Sequence, residues 1–100
     1  MDGTGRSMHI GVLTMEFHLE GCRSLKEKRQ RLSGLRDRFG RAPNVAVCEH
    51  AFQNSHQRAQ WSFVAVAAEQ HVVERTLGSI ERGVAENADA VVIGVEREML

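Results

Sequence analysis

Apolar residues crowd the stretch MHIGVLTMEFHLE, residues 8–20, and Gly21 bounds it, which predicts a first strand. Its alternation changes phase: Ile10 and Val12 share one parity, Leu13, Met15, Phe17 and Leu19 the other. A bulge near Gly11 to Leu13, or a strand apolar on both faces, would account for the change. A helical period takes over at Ser24, where Leu25, Leu32, Leu35 and Phe39 fall into one stripe at about 100° per residue. Ser24 followed three residues later by Glu27 forms a capping box, and Gly40 and Pro43 end the helix. NVAVCEHAFQ, the polar turn NSHQ and AQWSFVAVA then predict two strands joined as a hairpin. From Glu69 to Asn87, Val73, Leu77, Ile80 and Val84 recur with helical spacing, with Gly78 and Gly83 as weak points in that second helix. DAVVIGVE, from Asp89 to Glu96, predicts a last strand.

The order β-α-β-β-α-β predicts an α+β, ferredoxin-like fold, a four-stranded antiparallel sheet with both helices on one face. Residues 8–100 make a single domain, and the polar, Gly-rich MDGTGRS of residues 1–7 reads as a flexible arm before it. Two helices leave one sheet face uncovered, yet the strands are apolar at both parities: Val64 and Val66 against Trp61 and Phe63, Val91 and Ile93 against Val92. That predicts a second copy of the chain or a ligand on the open face, with a homodimer as the first form to test. Scattered surface hydrophobes are the bland alternative.

Composition narrows the class. One hundred residues, 42% hydrophobic and 26% charged, suit one globular domain rather than a disordered chain. No apolar run approaches the roughly 20 residues of a membrane span, and no signal-peptide pattern opens the sequence, so the expected setting is the cytoplasm. Cys22 and Cys48 sit in no C-x-x-C and read as free thiols, Cys48 half-buried on a strand.

Candidate chemistry is thin. His9, His18, His50, His56 and His71 show no metal-ligand spacing, and Cys48 with His50 is too small a set, so neither metal nor cofactor is expected. No nucleophile has a base beside it in a known motif, no Gly-rich phosphate loop occurs, and Glu16, Glu20 and Glu49 read as solvated. The expectation is a protein that is not an enzyme.

Charge changes the picture more. The net value is zero, but residues 23–41 hold eight Lys or Arg against Glu27 and Asp37, a local +6 that the rest of the chain balances with −6. On the helix, Lys26, Arg31, Arg38 and Arg41 lie well away from the apolar stripe, and Arg29 and Arg36 flank one edge of it. Lys28 falls inside the stripe, so it must snorkel or pair with a carboxylate, for which Glu49, Glu96 and Glu98 are candidates. A charged face of this kind serves solubility, meets an acidic protein surface, or displaces counterions from nucleic acid. Two acids against eight bases favour the last, with RNA or a ribosomal particle as the expected partner and Lys26, Lys28, Arg29, Arg31, Arg36, Arg38 and Arg41 as contacts. QWSFVAV adds a weaker signal, because RNA-recognition domains share this element order and carry stacking aromatics on the third strand. Trp61 and Phe63 fit part of that pattern, as stacking or dimer contacts or as core. Gly11 and Val66 stand where the pattern wants aromatics.

MHIGVL, GCRSLKEKR, a Glu-His in the hairpin, QRAQWSFVAVA, VERTL and VEREML together resemble the YlxP-like family of small bacterial proteins, over Met8 to Leu100. SLKEKR is the most specific of these motifs, and residues 1–7 precede the family's usual start. The resemblance implies the same ferredoxin-like fold and genes placed near translation and ribosome-maturation factors. It implies no catalytic residues. Within the shared motif, capping explains Ser24 and Glu27 and packing explains Leu25, which leaves Lys26, Lys28 and Arg29 as the residues whose purpose is open.

Overall fold

The computed structural model describes residues 7–100, so the predicted arm lies, apart from Ser7, outside the described residues. The elements run β1 (His9–His18), α1 (Leu25–Phe39), β2 (Val45–Ala51), β3 (Arg58–Ala67), α2 (Gln70–Asn87) and β4 (Val91–Met99). The strands form one antiparallel sheet in the order β2-β3-β1-β4, the ferredoxin-like arrangement.

One face of the sheet is the core. Leu13, Met15 and Phe17 of β1 and Ala59, Trp61, Phe63 and Ala65 of β3 are buried there, against Leu32 and Leu35 of α1 and the Val73, Leu77, Ile80 and Val84 stripe of α2. Gly11 shares that face because nothing larger fits: a Cβ there would come within 2.7 Å of Val73 and 2.9 Å of Leu77. The phase change in β1 is therefore a glycine inside the core parity of a strand apolar on both sides. No bulge occurs near Gly11 to Leu13; the irregularity between β1 and β4 falls at Glu16/Phe17. Gly83 has a similar role in α2, where Phe39 of α1 seats its ring 2.7 Å from the position of the missing Cβ.

The capping box forms with a changed second half. Ser24 Oγ accepts the Glu27 amide at 3.0 Å, while the Glu27 carboxylate reaches past the cap to the Arg23 amide at 3.3 Å.

The other face carries no helix. Ile10 pairs with Val66 and Val12 with Val64, all half-buried, and the sheet then turns polar through a Thr14–Ser62 hydroxyl bond of 3.0 Å and a Glu16–Arg58 ion pair. Cys48 is exposed on this face rather than half-buried, because β2 is an edge strand; Cys22 is buried, and both are free. Among the described residues, no helix is long and apolar enough to cross a membrane.

Candidate nucleic-acid interface

The basic residues of α1 divide into three groups that sequence alone does not separate. Lys28 forms the first by itself. It is 3% exposed, and its Nζ donates to the carbonyl oxygens of Phe52 at 2.8 Å, Ser55 at 2.9 Å and Arg58 at 2.8 Å. Glu49 Oε2 lies 2.9 Å away as a fourth neighbour. Three carbonyls take the three ammonium protons, so Glu49 supplies charge without a hydrogen bond, and its Oε2 has no other partner among the described residues. Lys28 is thus a clamp on the β2–β3 loop, and its expected role as a nucleic-acid contact is corrected: burial closes it to any partner. The loop needs such a clamp. Phe52 holds a left-handed φ of 62°, which a non-glycine residue adopts at a cost.

Arg31 and Arg38 form the second group, turned toward the C-terminal end of α2. Arg31 donates from Nε to the Asp89 carbonyl and from Nη1 to the Glu20 carbonyl, each at 3.0 Å, and pairs with the Glu27 and Asp89 carboxylates. Its side chain is 18% exposed, so it ties α1 to two loops instead of standing away from the core as periodicity suggests. Arg38 stays exposed and reaches Asn87 Oδ1 at 3.4 Å, beside the last turn of α2. Cations at a helix C-terminus meet the negative end of its dipole, which favours both positions.

Lys26, Arg29 and Arg36 form the third group, all exposed on the opposite flank of α1 and without an ion pair among the described residues. Arg41, just beyond the helix, is also exposed and unpaired among them. Arg29 and Arg36 border a groove of about 480 Å³ between α1 and the β2–β3 side of the sheet. Leu25, Leu32 and Trp61 line it, with Lys28 and Glu49 also at its wall. The Arg36 guanidinium lies over the Trp61 ring, 5.5 Å from the centroid.

Trp61 and Phe63 point into the core, 5% and 0% exposed, with their rings stacked at 6.5 Å. Neither reaches the open face, so the expected stacking or dimer contact there is corrected in favour of the core alternative. The reason is parity: Trp61 pairs with Met15 and Phe63 with Leu13, on the side the helices cover. What sequence reasoning missed is that Trp61 still meets a surface, from below, at the groove beside α1.

Among the described residues, no group of three or more His, Cys, Asp and Glu side chains comes together as a metal site would require. Glu16 and Glu49 lie on opposite faces of the sheet, Glu16 against Arg58 and Glu49 against Lys28.

A family model described as "Protein of unknown function (DUF503)" matches residues 10–97. No curated protein matches the sequence. Among solved structures, the chain is similar to the de novo designed protein Foldit4, with a TM-score of 0.58 at 12% identity over 93% of this chain and 96% of that one. It is more distantly similar to a hydantoinase/carbamoylase family amidase from Burkholderia phymatum, with a TM-score of 0.46 at 12% identity over 93% of this chain and 28% of that one. SnoaB, a cofactor-independent oxygenase from Streptomyces nogalater, gives a TM-score of 0.43 at 11% identity over 92% and 90% of the two chains. At such identities the first likeness speaks to the fold alone, and the weaker two add nothing to it.

Proposed function

The chain belongs to the DUF503 family, a membership that by itself fixes no chemistry, and we propose that it is an RNA-binding module whose contact surface is one flank of α1. The observation that carries this reading is the third group of bases. Lys26, Arg29 and Arg36 are exposed, share a flank and have no carboxylate partner among the described residues, with Arg41 continuing the charge past the helix end. Bases kept for stability find partners, as Lys28 and Arg31 do; bases left free on one flank suit a polyanion. The likeness to YlxP-like proteins is consistent with this reading, and a ribosomal particle is the form of RNA it favours.

Lys26→Glu, Arg29→Glu and Arg36→Glu together should abolish binding to structured ribosomal RNA fragments while leaving the circular dichroism spectrum unchanged. For the unaltered protein, affinity should fall steeply between low and moderate salt, with a log–log slope of about −2 to −3.5 if three or four phosphates are met. A folded triple variant that binds as tightly as the parent removes the proposal.

A second reading rests on a different observation. Among the described residues, the exposed large hydrophobics are Met8, Val91, Ile93, Val95, Met99 and Leu100, all on β4 or beside it, and β4 is a sheet edge. Self-association without RNA affinity would use that edge, where Val91 pairs with His18 and so continues the open face of the sheet.

A further inference from the structure

The groove beside α1 carries an inference that rests on the RNA reading and makes it specific. Leu25, Leu32 and Trp61 form the apolar part of its walls beside the polar Ser33, Asp37, Glu49 and Gln53, and two guanidinium groups without an ion pair among the described residues stand at its border. Trp61 is 5% exposed, yet its indole Nε1 has no hydrogen-bond partner among the described residues. Burying an N–H donor without an acceptor is costly, and native proteins rarely do so without reason. The other polar atom left without a hydrogen bond is Glu49 Oε2, on the same groove, where Lys28 neutralises its charge. Both unsatisfied side-chain atoms found among the described residues therefore belong to residues of one groove.

At about 480 Å³ the groove is within the range of small-molecule sites, roughly 300–1,000 Å³. The depression on the other flank of α1, bordered by Arg31, Arg38, Arg41 and Asn87, has no such orphan atom, and of its arginines Arg31 is engaged with the loop after α2 and Arg38 reaches Asn87. A ligand suited to the first groove needs a flat apolar body, polar atoms along its edge that can accept from an indole, and an anionic end for Arg29 and Arg36. A nucleotide has all three: a heteroaromatic base and a phosphate. Arg36 already lies against an aromatic ring and can exchange that contact for a base. From these features we infer that the groove between α1 and the β2–β3 side of the sheet seats one nucleotide, with its phosphate at Arg29 and Arg36 and its base toward Trp61. The nucleotide comes either from a single-stranded segment of RNA or from the free mononucleotide pool.

The chain has one tryptophan, so its indole N–H gives one resonance and its emission is unmixed. The protein is titrated with adenosine 5′-monophosphate, a single-stranded oligoribonucleotide, an RNA duplex, ribose 5-phosphate and inorganic phosphate, following the indole resonance and the salt dependence of binding. The expected result is that the single strand and the mononucleotide both move the resonance and compete, while the duplex does not move it. Ser33→Phe, which keeps every charge and fills the groove from its exposed border, should weaken the single strand about tenfold, the size of one base contact. Arg36→Ala serves as the second variant should Ser33→Phe fail to fold. Salt-dependent RNA binding with a static indole and unaltered affinity in Ser33→Phe overturns the nucleotide seat and leaves the RNA reading standing. Binding of the mononucleotide without the oligomer overturns the RNA reading and keeps the seat. An equal response to inorganic phosphate or ribose 5-phosphate overturns the nucleotide class, and silence from every ligand overturns both readings.

Discussion

The Lys28 ammonium has three protons and three carbonyl oxygens to receive them, with a carboxylate to balance its charge. Removing it leaves three part-buried carbonyls and a half-buried carboxylate without their cation. Lys28→Met should therefore destabilise the domain by about 3–5 kcal/mol, the range for breaking a buried ion pair from one side. Glu49→Gln should cost less, since the carbonyls keep their donor. Urea unfolding of the two variants checks the order, and equal costs would mean that the carboxylate, not the loop carbonyls, is what Lys28 holds. Periodicity already places Lys28 inside the apolar stripe, and Glu49 is among the carboxylates within its expected reach. The three carbonyls are illegible in the sequence, because any residue supplies a carbonyl and only the backbone path of residues 52–58 aims them. The same limit hides Arg31, whose two acceptors at 3.0 Å are also main-chain oxygens.

Each helix carries a glycine whose replacement should have the opposite sign. Gly34 lies mid-helix on the exposed side of α1, with nothing within 4 Å of an added Cβ. Gly34→Ala should stabilise by about 0.5–1 kcal/mol through helix propensity and the unfolded chain's lost freedom. Gly83→Ala gains the same propensity but drives a methyl into the Phe39 ring at 2.7 Å, and should be net destabilising by about 1–3 kcal/mol. Thermal unfolding separates the two; a stabilised Gly83→Ala would show that α1 can slide on α2 at little cost. At the level of elements the hydrophobic pattern is a good guide, since both stripes, the hairpin and the element order stand as the periodicity has them. It fails on β4, which runs on to Met99 through EREM, residues without strand-like alternation. Pairing with β1, which continues as far as Gly11 opposite Met99, sustains that end, and the partner lies nearly ninety residues away in sequence.

Across the whole molecule, zero net charge conceals two surfaces of different kind. One flank of α1 is cationic and free, whereas the β4 edge at the other side of the sheet gathers exposed Val91, Ile93 and Val95 next to Glu96 and Glu98. An apolar edge strand invites pairing with another chain. Ile93→Lys with Val95→Lys should lower any concentration-dependent mass seen by sedimentation without changing RNA affinity. A loss of RNA affinity in that variant would mean that two copies are needed to bind. The segregation of charge is plain in the sequence. Its division into a clamp, a tie to α2 and a free flank is not, because the three groups differ by which neighbours α1 meets and not by residue type.

The clamp has a further consequence in the reactivity of amines. Lys26 and Lys28 are the only lysine side chains, two residues apart. Lys28 is buried under the hairpin and Lys26 is exposed, so acylating reagents should modify Lys26 in the folded protein and reach Lys28 only when α1 lifts from the hairpin. The rate at which Lys28 is labelled then becomes a clock for that opening, with Lys26 as the internal standard beside it.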